Sequence, residues 1–161
     1  MDKEKNQYSQ LALSQLKSIG LSEVDFYDFE NDGQKGLSIY DVIYVCGGNT
    51  FKLMKFSKEF NFDKEIKLLL KRGGVYIGVS AGSLIIGPSI KIAGEVSLDS
   101  NEVGLTDFNG FNIVDYIIFP HYSTEFEEDI KSFEVKNNVR VERINNSQAI
   151  LIKDNKKILI E

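Results

Sequence analysis

Apolar residues recur along this chain in two rhythms, and the two alternate. Tyr8, Ala12, Leu16 and Ile19 fall on one face of a helix, with Gly20 as a natural stop. Val24 to Phe29 reads as a strand, which Asn31-Asp32-Gly33 breaks. Asp41 to Cys46 is a short apolar strand ending at Gly47-Gly48. Asn49 or Thr50 then suits the cap of a helix carrying Phe51, Leu53 and Met54. A second helix, from about Phe62 to Arg72, turns Phe62, Ile66, Leu69 and Leu70 inward and has Gly73 past its end. Gly74 to Val79 is again strand-like, followed by a turn at Ser80 and a helix to about Ile86. Tyr116 to Phe119 is the next such strand, closed by Pro120-His121. Thr124 and Glu127 fit a capping box for a helix carrying Phe126, Ile130 and Phe133. From Val139 to Ile160 the pattern predicts strands, with Asp154-Asn155 turning a hairpin.

Short strands, apolar on both faces and separated by helices, predict an α/β fold built on a mostly parallel sheet covered by helices. In such sheets, sites form where loops leave the carboxyl ends of the strands. Gly47-Gly48-Asn49, Ser80 and His121 each follow a predicted strand, so all three open onto one edge of the sheet. No internal repeat or low-complexity linker divides the chain, and residues 1–161 read as a single domain.

Composition narrows the function classes. Nineteen Lys and Arg against twenty-four Asp and Glu give a net charge of -5, and the basic residues are scattered. That argues against a nucleic-acid-binding stripe. Cys46 is the only cysteine, which excludes an intrachain disulfide and any cysteine-based zinc site. No metal or other cofactor is expected. The longest charge-free stretch, Gly73 to Ile90, contains five glycines, three serines and Pro88, so a buried strand, turn and helix suits it better than a membrane span. Met1 to Gln10 has no apolar core like a signal peptide's, and a cytoplasmic protein is the expectation.

The sharpest chemical signal is Gly78-Val79-Ser80-Ala81-Gly82, which matches the G-x-S-x-G nucleophile elbow. A tight turn from strand to helix tolerates no side chains where the two meet, hence the glycines. The helix N-terminus adds partial positive charge, and the Ala81 N–H is a candidate oxyanion donor. His121, the only histidine, follows Ser80 in the chain and is the sole imidazole available as its base. Several acids could orient it: Glu95, Asp99, Glu102, Asp107 and Asp115 lie between the two, and Glu125 and Glu127 follow. Gly47-Gly48-Asn49-Thr50 could cradle a phosphate at a helix start. Alternatively, Gly48 supplies the second oxyanion N–H while Asn49 and Thr50 touch substrate. It lacks the lysine and spacing of a P-loop. Cys46 is expected to serve packing.

Gly47 to Phe51 (GGNTF), Gly78 to Ser83 (GVSAGS) and Pro120 to Tyr122 (PHY), in that order, resemble peptidase E, the aspartyl dipeptidase family that also contains cyanophycinase. The resemblance runs from about Tyr8 to Ile152. It implies a serine peptidase with a flavodoxin-like, class I glutamine amidotransferase-like α/β fold. It also implies Ser80 as nucleophile, His121 as general base, Gly48 and Ala81 as oxyanion donors, and Glu95 where the family carries its triad aspartate. Two departures stand out. The chain starts at the first helix, N-terminally short of the strand and Ser/Gly-rich loop that such proteins usually begin with. The segment Tyr122 to Phe133 has no arginine, and no late glutamate stands near Asn146-Ser147-Gln148, which loosens the implied preference for N-terminal aspartate.

These readings make a serine exopeptidase-like enzyme acting on short peptides the first expectation. The rival is a truncated, catalytically impaired relative serving as a binding or interaction module. An α/β-hydrolase esterase is disfavoured, because that fold usually places more strands before its elbow. An open sheet edge would be covered by pairing two chains, so a homodimer is the expected assembly.

Overall fold

The structure, a computed structural model, describes residues 7–33, 36–154 and 156–161. Helix α1 (Gln7–Ser18) buries Ala12 and Leu16, as their spacing requires. Ile19 lies beyond the helix end and is exposed, because Gly20 at positive φ turns the chain away. The side chain of Tyr8 lies outside the described residues.

Residues 24–28 are not a strand. Extended backbone needs a ladder partner for its N–H and C=O groups, and no described segment pairs with this one. The apolar run instead enters a one-turn helix, α2 (Phe29–Asp32), which the Asp28 side chain caps by accepting from the Glu30 N–H. The Asn31-Asp32-Gly33 breaker thus ends a helix.

The next elements follow the sequence pattern closely. Strand β1 (Val42–Val45) leads into α3 (Thr50–Glu59), whose cap is Asn49 accepting from the Lys52 N–H at 2.9 Å. Helix α4 (Phe62–Lys71) buries Phe62, Ile66 and Leu69. Each such fully buried side chain contributes roughly 1.5–3 kcal/mol. Leu70, expected inward, is exposed at the flank of that buried face. Strand β2 (Val75–Gly78) then leads to α5 (Ala81–Leu84) and α6 (Lys91–Glu95).

Strand β3 (Ile117–Phe119) is fully buried and is followed by a 3₁₀ turn, Thr124–Phe126, and α7 (Glu127–Asn137). The expected capping box is not formed, since the 3₁₀ turn moves the helix start past Thr124. The Ser123 hydroxyl reaches Glu125 instead. Ile130 and Phe133 are buried on α7 as expected, with Phe126 partly buried beside them. Strands β4 (Val141–Arg143), β5 (Ala149–Lys153) and β6 (Lys156–Ile160) complete the chain.

The sheet comes as three ladders. β1 and β2 pair in parallel from Val42 opposite Val75 to Val45 opposite Gly78. β3 and β4 are also parallel, Ile117 opposite Val141. β5 and β6 form an antiparallel hairpin, Lys153 opposite Lys156, turned at Asp154; Asn155 lies outside the described residues. The α/β class and parallel pairing are as expected, but the described strands do not join into one continuous sheet. The core gathers Met54, Ile66, Ile85, Ile90, Ile92, Ile117, Phe119 and Ile130 between the two parallel ladders and their helices. Among the described residues no helix is long and apolar enough to cross a membrane.

Candidate active site

Three loops leave the carboxyl ends of β1, β2 and β3, and a fourth follows β4. The tightest is the one after β2. Ser80 sits there with φ 53° and ψ -117°, a conformation that L-residues adopt at a cost of about 1–3 kcal/mol. The strain is held by packing and hydrogen bonds. A methyl group on Gly78 would meet the Gly82 carbonyl oxygen at 2.5 Å, and one on Gly82 would meet the Val45 carbonyl oxygen at 2.6 Å. Strand, turn and helix are thus in backbone contact, and only glycine fits at either position. The Ser80 carbonyl accepts from the Ser83 N–H at 2.9 Å and from the Ser83 hydroxyl at 2.6 Å. The Tyr76 hydroxyl donates to the Gly82 carbonyl at 2.6 Å, and burial pushes this phenol far above its ordinary pKa, so it remains a neutral donor. The elbow therefore projects the Ser80 hydroxyl out of the sheet edge.

His121 also has a positive φ, 58°, at the end of β3. Its neighbours pin the loop, with the Tyr122 N–H donating to the Ile144 carbonyl at 3.0 Å. His121 Nε2 lies 3.0 Å from Ser80 Oγ, and His121 Nδ1 lies 2.6 Å from Asn146 Oδ1. An amide oxygen can only accept. The Asn146 contact therefore fixes the tautomer with the proton on Nδ1 and leaves the Nε2 lone pair facing the serine hydroxyl. Asn146 is itself set by a compact turn: Asn145 Oδ1 accepts from the N–H and hydroxyl of Ser147, and Gln148 Oε1 accepts from the Asn145 N–H.

Glu95, the expected orienting acid, is elsewhere. It ends α6 facing α7, where its Oε2 lies 2.8 Å from Lys136 Nζ. Glu127 and Glu134 are likewise committed, holding Arg143 at 2.9 Å each, and that guanidinium keeps both carboxyls below the usual range. The sequence points to carboxylates as partners of His121, whereas the group that meets the ring is an amide. The polar run Asn145-Asn146-Ser147-Gln148 follows β4, and nothing local marks Asn146 within it as the partner.

The loop after β1 runs against the elbow. A methyl group on Gly47 would stand 2.8 Å from Ser80 Cβ and 3.2 Å from its Oγ. Gly48 follows at φ 140°. No described group accepts the N–H of Gly48 or that of Ala81. The phosphate-cradle reading of this loop loses its main donor, since the Thr50 N–H already donates to Asp99 Oδ2 at 2.9 Å. Thr50 is buried, and Asn49 is engaged in capping α3 and in a 2.7 Å bond to the Ser100 carbonyl. Both residues thereby hold the loop in place. Cys46 is half-buried, and burial pushes its thiol up, away from the reactive thiolate.

The chain as a whole is similar to known proteins. The family model described as Peptidase family S51 matches residues 1–160. An uncharacterized peptidase of Listeria monocytogenes is 36% identical over 116 residues, which cover 70% of this chain and 57% of the relative. A peptidase E of Salmonella gallinarum is 36% identical over 94 residues, 56% of this chain and 37% of that protein. A crystal structure from Listeria monocytogenes, provisionally assigned to peptidase E, superimposes with a TM-score of 0.79 at 32% identity, covering 96% of this chain and 78% of its own. The chain thus spans about three fifths of the length of the curated uncharacterized peptidases it matches.

Proposed function

The chain belongs to peptidase family S51, and from that premise we propose that it is a serine-type peptidase hydrolysing short peptides through an acyl-enzyme. The observation that carries this reading is the line Ser80 Oγ, His121 Nε2, His121 Nδ1, Asn146 Oδ1, with separations of 3.0 and 2.6 Å at its two ends.

In the first half-reaction Ser80 Oγ attacks the peptide carbonyl carbon while His121 Nε2 takes the hydroxyl proton. The carbonyl oxygen becomes an oxyanion, which the free N–H groups of Gly48 and Ala81 receive. Ala81 opens α5, so its N–H adds the partial positive end of a helix. Collapse breaks the C–N bond, and His121 hands its proton to the departing amine. Water then attacks the ester, again losing a proton to His121, and releases the acid with Ser80 restored. Asn146 contributes orientation and tautomer but no counter-charge to the imidazolium. A flavodoxin-like arrangement accounts for the placement of these groups at carboxyl ends of parallel strands. An exopeptidase or dipeptidase preference suits a small domain with no large substrate module, and a cytoplasmic setting suits a short-peptide substrate.

The test is hydrolysis of aminoacyl p-nitroanilides and dipeptides, Asp-first ones included, by wild type beside Ser80→Ala. Cleavage that disappears in the variant is the expected result. Folded wild type inert across the panel would overturn the enzyme reading in favour of a non-catalytic binding module.

A further inference from the structure

The loop that carries Gly48 is tied down by a side chain of its own only at its exit, where Asn49 caps α3. It contains two glycines, one at φ 140°, and it presses on Ser80 closely enough that a single methyl group would collide. A donor on such a loop works in catalysis only if its position is fixed before the charge develops. The residues that fix it lie some fifty positions further along the chain.

Asp99 and Ser100 grip the loop's exit. Asp99 Oδ2 accepts the Thr50 N–H at 2.9 Å, and the Ser100 carbonyl accepts from Asn49 Nδ2 at 2.7 Å. Asp99 is anchored in turn by its own N–H, which donates to the Ala93 carbonyl at 2.8 Å. Its approach is set by Leu98, a non-glycine residue at φ 59°, which turns the chain so that consecutive residues 99 and 100 both face α3. Below this clamp Phe51 packs on Gly94, where a methyl group would stand 2.9 Å from the ring, and stacks edge-on against Phe108 at 5.7 Å. The carboxylate is placed well electrostatically, since it meets the positive end of the ten-residue α3. An isolated helix cap needs only the Asn49 side chain, which is already present. The additional carboxylate on the Thr50 N–H, two residues from Gly48, does something a cap does not: it sets where the loop leaves the sheet edge.

We propose that Asp99 is a positioning residue for catalysis, fixing the Gly47–Asn49 loop so that the Gly48 N–H is preset as an oxyanion donor beside Ser80. The inference rests on the serine-peptidase reading of the site. Asp99 touches neither Ser80 nor His121, and it acts through the Thr50 N–H. Losing the clamp lets the donor drift while the floor of the site stays in place. The cost therefore falls on the transition state, and ground-state binding is spared.

The experiment compares wild type, Asp99→Ala, Asp99→Asn and Asn49→Ser in steady-state hydrolysis, in inhibition by a peptidyl trifluoromethyl ketone, and in labelling of Ser80 by a fluorophosphonate. Asp99→Ala is expected to lower kcat by roughly 10–100-fold with KM within about threefold, since a displacement of about 1 Å at a reacting group carries such a cost. Affinity for the tetrahedral ketone adduct should fall in parallel with kcat. Asp99→Asn, which keeps an acceptor oxygen for the Thr50 N–H, should recover activity to within about threefold. Asn49→Ser retains the helix cap but cannot reach Ser100, and it keeps the question open to test should Asp99→Ala not fold. A folded Asp99→Ala with wild-type kcat and ketone affinity would overturn the proposal, as would a loss confined to KM. Wild type that neither turns over substrate nor takes the label would instead remove the peptidase reading, and this inference with it.

Discussion

His121 Nδ1 lies 2.6 Å from Asn146 Oδ1, across 25 residues of chain and two separate strand-end loops. The contact gives the imidazole an orienting acceptor without a negative charge. In the proposed mechanism a carboxylate there would do both jobs, favouring the imidazolium that forms when Ser80 gives up its proton. An amide does only the first.

That difference is measurable in the pH profile. Asn146→Asp should move the acid limb of kcat/KM to higher pH, because a carboxylate beside the imidazole favours its protonated form. Asn146→Ala should leave the limb's position little changed and lower kcat by on the order of 10–1000-fold, through loss of orientation and tautomer. Profiles of kcat/KM between about pH 5 and 9 check both; superimposable profiles for Asn146→Asp and wild type would separate Asn146 from the histidine.

Glu95→Gln tests the opposite assignment. Its carboxylate pairs with Lys136 on the surface, away from His121. Turnover should stay within about twofold of wild type, and the unfolding free energy should change by the small amount expected for an exposed ion pair, at most about 1 kcal/mol. A large drop in kcat would return Glu95 to the catalytic line.

Gly47→Ala probes how closely the first loop approaches Ser80, the proposed nucleophile. The added methyl group would stand 2.8 Å from Ser80 Cβ, so either the loop or the elbow must yield. Turnover should fall on the order of 100-fold. Fluorophosphonate labelling of Ser80 should slow with it, while far-UV circular dichroism remains that of the wild type.

The Arg143 cluster predicts an acid-sensitive stability. Arg143 holds Glu127 and Glu134 at 2.9 Å and depresses both carboxyl pKa values, and Glu134 also accepts the Val141 N–H at 2.7 Å. Carboxylates depressed in the folded state stabilise it above their unfolded pKa of about 4.3 and lose that contribution as the pH falls through the lower folded values. Arg143→Met should therefore lower the melting temperature at pH 7, and the gap to wild type should narrow below about pH 4. Equal gaps at both pH values, by thermal denaturation, would contradict the linkage.

Much of the α/β framework was legible because it depends on local pattern. The apolar runs at Val42–Val45, Val75–Gly78 and Ile117–Phe119, and the helical spacing of Phe62, Ile66 and Leu69, state their own geometry. The elbow was legible for a steric reason, since two glycines four residues apart around a serine mark a place where backbones touch. Val24 to Phe29 misled, because a strand's existence depends on a partner that local pattern cannot supply.

The identity of the histidine's partner was a different kind of question. Glu95, Glu127 and Asn146 are all polar residues at plausible separations in the chain, and nothing local distinguishes them. Their roles diverged because α6 turns Glu95 toward Lys136, Arg143 claims Glu127, and the turn after β4 delivers Asn146 beside the ring. The sequence by itself determined which residues could do chemistry, Ser80 and the only imidazole, and the strand-ends where they stand. Only the tertiary structure decided which groups serve them, because hydrogen bonds of 2.6 to 3.0 Å are set by how separate loops pack, and separation along the chain does not encode that distance.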